Sequence, residues 1–262
     1  MDYLCSHQPS GMPRTLLFLL GLLLTAALSA QGLRGARNED RAVLIQIGYG
    51  PFTTSGDLSD RFGNGFNLDG GATWLLEKSN WEFGLRANFG FGNDVREDPL
   101  ARLRTRDGFL IGNQREPADI QLRHRQLFVG ASVGYTIAIG KNKRTGIALR
   151  TSPGYFYHQI RIQDDVVQAV PQLSDDLLPG YDRLTGGFAV HQFLGYQSLG
   201  TDRKLNFYLG AEAIAGFTKA LRNFNYTTGL PSPTAGRTDI VLGLKAGIIL
   251  PLYVGEGREI FY

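Results

Sequence analysis

The sequence predicts an all-β protein in which eight antiparallel strands run up and down and close into a transmembrane β-barrel, with short periplasmic turns at one end and long extracellular loops at the other. Three observations predict it: segments that alternate between large apolar and small or polar residues, gaps that alternate between short and long, and a polar face rich in glycine. The 262 residues include 34 glycines and 11% aromatics but only 19% charged residues. Such a composition favours extended chain over helix.

The N-terminus reads differently. Arg14 precedes TLLFLLGLLLTAALSA, an apolar core ending in small residues. That is the pattern of a secretory signal over residues 1–30, too short for a comfortable transmembrane helix. Cleavage after Ser29 and after Ala30 both fit, and Met12 is an alternative start. Cys5, the sole cysteine, lies ahead of the core. The exported chain is therefore expected to lack disulfides and to be held together by a closed sheet. Residues 31–41 read as a polar periplasmic linker.

Period-two segments then follow one another. The first spans Ala42–Gly50, with Val43, Ile45, Ile47 and Tyr49 on one face and Gln46 and Gly48 on the other. After the turn-forming stretch PFTTSGDLSDRFGNG comes Phe66–Glu77, where Leu68, Ala72, Trp74 and Leu76 oppose Asn67, Asp69 and Thr73. A tight turn leads to WEFGLRANFGFG, Trp81–Gly92, whose odd positions are all apolar and whose even positions are Glu82, Gly84, Arg86, Asn88, Gly90 and Gly92. The longest gap, from Asn93, precedes Gln126–Gly140. The turn KNKRT joins that strand to Gly146–Ile160. A further long gap leads to Leu184–Leu199, GTDRK to Leu205–Thr218, and the last long gap to Asp239–Tyr253.

Alternation alone does not say which face is inside; a secreted β-sandwich or lipocalin-like barrel would bury the apolar face. A glycine-rich rather than lysine-rich polar face, regular gap alternation, and Trp and Tyr near strand ends favour apolar side chains against lipid. In that orientation Phe83, Leu85, Phe89 and Phe91 meet acyl chains, and Trp81 sits at the periplasmic interface. The lumen then receives Gln46, Asp69, Glu82, Arg86, Arg150, His191, Glu212 and Lys245. Three carboxylates against three permanent cations predict a polar plug, since buried charges need partners. Glu212 with Lys245, on consecutive strands, is the first expected pair; Glu82 or Asp69 with Arg86 is the second.

The chain over residues 42–253 resembles the small eight-stranded outer-membrane barrels of the OmpA/OmpX type. GDLSDRFGN (Gly56–Asn64), GYDRLTGGF (Gly180–Phe188) and LPLY (Leu250–Tyr253) are similar to stretches of porin-family-like barrels of unassigned role. The resemblance implies an integral protein of the bacterial outer membrane. Such barrels usually end on an aromatic residue. Here either Tyr253 ends the last strand ahead of a tail over residues 254–262, or Phe261 and Tyr262 serve from an extension.

The net charge of +3, with no basic run or aromatic stacking motif, argues against nucleic acid. The sequence has no zinc-ligand spacing, EF-hand or phosphate-cradling loop, so neither metal nor cofactor is expected. No catalytic residue is assigned. Ser152 and His158 share a strand but lie about 20 Å apart at strand rise, too far for proton transfer; cross-strand pairs involving His124, His158 or His191 stay open.

The long loops are the expected working parts. Arg102, Arg104 and Arg106 belong to the basic loop. Phe109, Leu110 and Ile111 lie in GFLIG, and Val166 and Val167 open VVQAVPQL. Arginine suits phosphates or an acidic partner, and apolar loop runs suit contact. The expected function is non-enzymatic: loops binding a ligand or neighbouring subunits of an envelope complex. The expected partners are outer-membrane lipid, lipopolysaccharide and other outer-membrane or surface proteins. The alternatives are a narrow channel for small or apolar solutes and, third, a lipid-modifying enzyme.

Overall fold

The computed structural model describes residues 40–165, 167–200 and 206–254. The signal segment, residues 31–39 of the linker, Val166, and the tail from residue 255 with Phe261 and Tyr262 lie outside the described residues.

Eight long strands form: β1 (Ala42–Gly56), β2 (Gly65–Leu75), β3 (Trp81–Gly92), β4 (Gln121–Ala138), β5 (Gly146–Gln163), β6 (Thr185–Ser198), β7 (Phe207–Ala220) and β8 (Arg237–Tyr253). They make one closed barrel in the order β1-β8-β7-β6-β5-β4-β3-β2. Each pairs antiparallel with its chain neighbour, and β1 closes on β8 from Ala42↔Tyr253 to Gly56↔Asp239. The last strand among the described residues ends at Tyr253. With 11 residues in the shortest strand, every one is long enough to cross a bilayer at a tilt.

The outer face is apolar and exposed. Leu85 is 66% accessible, Leu244 64% and Phe217 61%, where a soluble barrel would bury such residues. Closure leaves no free sheet edge, which a hydrocarbon environment requires because nothing there satisfies an open backbone. Trp81 packs against Tyr135, ring centroids 4.9 Å apart, beside the short turns, where an amphipathic indole suits the membrane interface.

Three strand limits differ from the sequence expectation by three residues or more. β1 runs on through Pro51 to Gly56. Proline has no N–H to donate, and the ladder to β8 skips Gly50 and Pro51, resuming at Phe52↔Gly243; on the other side Pro51 still pairs with Phe66. β4 starts at Gln121 and β5 ends at Gln163. There the alternation continues in polar residues, with His124 buried and Arg123 and Arg125 on the outer side, so an arginine-rich segment that reads as loop is strand.

The interior is layered. Leu44, Ala148, Phe193 and Ile249 fill the short-turn end. An ionic layer follows, and above it Phe52, Phe62, Phe128, Phe156 and Ile214 form a second apolar layer. A third cluster, Leu100, Leu110, Val170, Leu173 and Tyr181, belongs to the long loops.

Register explains the inner glycines. In one row across the wall, Asp69 pairs with Gly48, Gly48 with Gly247, and Gly247 with Tyr208. Tyr208 lies flat over the two glycines and donates its hydroxyl to Asp69 at 3.2 Å; a Cβ at either glycine would collide with its ring or hydroxyl. In another row Gly134 sits between Glu82 and Arg150, and the ion pair forms over it. Gly48→Val is expected to displace Tyr208 and cost about 1–3 kcal/mol of stability, the usual range for overpacking. The check is the urea midpoint in lipid vesicles, which Gly48→Val combined with Tyr208→Ala should partly restore.

Candidate functional site: the ionic lumen and the loop cap

All eight side chains assigned to the lumen are buried inside the barrel, and they make one network. Lys245 bridges two carboxylates, Asp69 at 3.0 Å and Glu212. Arg86 donates to Asp69 and to the Gln46 amide oxygen. Arg150 donates to Glu82 and Gln197 and stacks over Phe193 and Tyr208. Gln46 and Thr73 donate to Glu82 at 3.3 and 3.1 Å. Glu212 takes further bonds from Asn67 at 2.9 Å and from His191 Nε2 at 2.8 Å. Glu212 and Lys245 are diagonal rather than facing neighbours, since Glu212 pairs with Gly243 and Lys245 with Gly210.

Several pairings carry no signal in a single strand. Asp69 and Lys245 meet across β1, which separates their strands. Tyr208, Asn67, Asn88 and Gln126 join the same network. Higher up, His158 Nε2 meets Asp239 at 2.8 Å, and Thr218 also donates to Asp239. His124 stacks on Phe62 with ring centroids 3.8 Å apart. Alternation marks all of these as inward, but pairing depends on how the barrel closes.

Two chemical possibilities are tested by this geometry. Asp69, His191 and Glu212 bring one ligand atom each within 4.8 Å of one another, as a metal site would. The Lys245 ammonium already contacts both carboxylates and supplies the positive charge there. Ser152 faces His191 across β5 and β6, with Glu212 behind, which is the residue set of a nucleophilic triad. Yet Ser152 Oγ makes no hydrogen bond, and Ser152 and His191 are wholly buried.

The loops form a cap with its own packing. Residues 93–120 include a small hairpin pairing Leu110–Ile111 with Pro117–Ala118, and residues 221–236 include another pairing Phe224–Asn225 with Leu230–Pro231. Tyr226 packs edge-on against Tyr181, centroids 5.4 Å apart. Ion pairs tie the loops together: Arg61 and Arg183 to Glu97, Arg104 to Asp98 and Arg222 to Asp182. The Asp165 carboxyl is held below its ordinary pKa by backbone N–H groups of Asp119, Val167 and Gln168.

Among the loop candidates, Phe109, Ile111 and Val167 project into solvent. Arg106 is exposed, Arg102 reaches the Thr228 carbonyl, and Arg104 is committed to Asp98. Leu110 corrects the expectation. It is 2% accessible, because alternation within the small hairpin sends Phe109 and Ile111 outward and Leu110 into the loop core.

A closed eight-stranded barrel with an apolar exterior and an ionic interior is the architecture of the small integral outer-membrane β-barrels. Among the described residues no helix is long and apolar enough to cross a membrane; the strands do so. No protein-family model matches the chain, and no characterised protein matches it in sequence. Solved structures of similar shape include Ail, the attachment invasion locus protein of Yersinia pestis, in complex with the heparin analogue sucrose octasulfate: 13% identity, 80% of this chain and 98% of that one, TM-score 0.41. Neisserial surface protein A aligns at 11% identity over 79% and 96% of the two chains, TM-score 0.42. OprG from Pseudomonas aeruginosa aligns at 13% over 80% and 95%, TM-score 0.35. The barrel assignment itself stands on this chain's own strands, register and exposed apolar wall.

Proposed function

We propose that the protein is a non-enzymatic, non-conducting outer-membrane barrel that holds a built loop platform outside the cell for binding a ligand or a neighbouring envelope protein. One observation carries this reading. The loops spend apolar residues on a core of their own, Leu100, Leu110, Val170, Leu173 and Tyr181, and still present Phe109, Ile111 and Val167 to water. Ordered loops with exposed large apolar groups suit recognition, because the ordering cost is met before the partner arrives. The filled lumen supports the non-conducting part: its ionic layer lies between two apolar layers, and eight strands enclose little more than side chains.

The test is gentle detergent extraction followed by identification of co-purifying proteins, for the natural chain and for Phe109→Ser/Ile111→Ser/Val167→Ser. Loss of a defined partner in the variant, with unchanged urea stability, is the expected result. A barrel that purifies alone in both forms, or one that conducts in planar bilayers, would overturn the proposal.

A further inference from the structure

Among the described residues outside the lumen and the cap, one cluster of charge has no counter-ion. Arg123, Arg125 and Arg161 all lie on the outer side of the β4–β5 hairpin. Arg123 stands directly opposite Arg161, and Arg125 is opposite Gln159. Like charges facing each other across strands are unfavourable. Among the described residues no carboxylate pairs with any of the three, whereas four of the loop arginines, Arg61, Arg104, Arg183 and Arg222, have acidic partners. Arg123 is instead held by neutral amides, Asn93 at 2.8 Å, Gln121 at 2.6 Å and Gln163 at 3.0 Å. Its guanidinium is fixed in place with its charge intact.

The height of the cluster says what it meets. Tyr135 and Arg125 share the outer side of β4, and Tyr135 packs on Trp81 near the short turns. Ten residues of strand at a barrel tilt rise about 25 Å, the height of the apolar band in such barrels. Arg125 is thus at the outer-leaflet headgroup level, one row beyond Leu127 and its partner Phe89.

A groove of about 710 Å³ adjoins it, lined by Pro51, Phe66, Phe91, Leu242 and Leu244 and reaching Asn93. Phe91 is the β3 partner of Arg125, and Asn93 is the residue that holds Arg123. Apolar groove and cationic cluster are therefore continuous.

We propose that this part of the wall is a binding site for a phosphate-bearing lipid of the outer leaflet, with headgroup phosphate on Arg123, Arg125 and Arg161 and an acyl chain in the groove. Guanidinium groups match phosphate oxygens in bidentate geometry, and one phosphate relieves the repulsion between Arg123 and Arg161. The site needs the transmembrane orientation but not the loop platform, so it stands if no protein partner is found.

The test uses the mature protein in detergent with bisphosphorylated lipid A, read by native mass spectrometry and by the thermal midpoint. The variants are Arg123→Gln/Arg125→Gln/Arg161→Gln and, as control, Arg102→Gln/Arg106→Gln. The expected result is lipid A retained by the natural chain and the control, at least tenfold weaker retention by the triple variant, and weak retention of dephosphorylated lipid A by all. Undiminished retention by the triple variant would overturn the site. Equal protection by inorganic phosphate, or preferential binding of a sulfated polysaccharide over lipid A, would overturn the assignment to lipid.

Discussion

Lys245→Met is expected to destabilise the barrel by about 3–5 kcal/mol, the range for removing one partner of a buried ion pair. The ammonium of Lys245 lies between Asp69 and Glu212. Without it Asp69 keeps Arg86, whereas Glu212 keeps only polar partners and a histidine. A carboxylate left in that position has lost its permanent counter-charge while still shielded from bulk water. The measurement is the urea unfolding midpoint after refolding into vesicles. Lys245→Met/Glu212→Gln should recover more than half of the loss, because the second change removes the stranded charge. A single-variant loss under about 1 kcal/mol would mean that water reaches the layer freely, and the plug would then have to be abandoned.

Leu244→Arg should cost about 2–4 kcal/mol, and Thr238→Arg about 0–1 kcal/mol, because a cation on the lipid face is most costly at mid-bilayer and cheap near the interface. Both residues are exposed on β8, Leu244 near its middle and Thr238 at its loop end. The comparison isolates depth, since chemistry and strand are the same. Equal small losses at both positions would indicate water rather than hydrocarbon around the wall.

Much of this architecture is legible in the primary structure, and the reason is local. WEFGLRANFGFG becomes β3 over the same residues, Trp81–Gly92, because strict alternation over a whole crossing leaves one lumen face and one lipid face. The inward parity of Asp69, Arg86, Glu212 and Lys245 follows from the same rule. What alternation does not carry is closure. The meeting of Asp69 with Lys245 depends on the stagger between β1, β2 and β8, a property of the ring as a whole. Leu110 illustrates the other limit, since a two-residue strand is too short to reveal its own inner face. Pro51 misleads as a strand terminator because the cost of its missing N–H is confined to one local gap in the β1–β8 ladder.

The length of β4 and β5 has a consequence for geometry outside the cell. At Gly92 the neighbouring strand β3 stops, while the β4–β5 ladder continues through Arg123↔Arg161, Leu122↔Ile162 and Gln121↔Gln163. Three more rows of antiparallel strand rise about 10 Å. The barrel mouth is therefore oblique, one flank standing taller than the other. The loop segments joined to β4 and β5 therefore leave the wall farther from the membrane than the segment leaving β3 does, a difference in height that the scaffold sets before any loop residue packs.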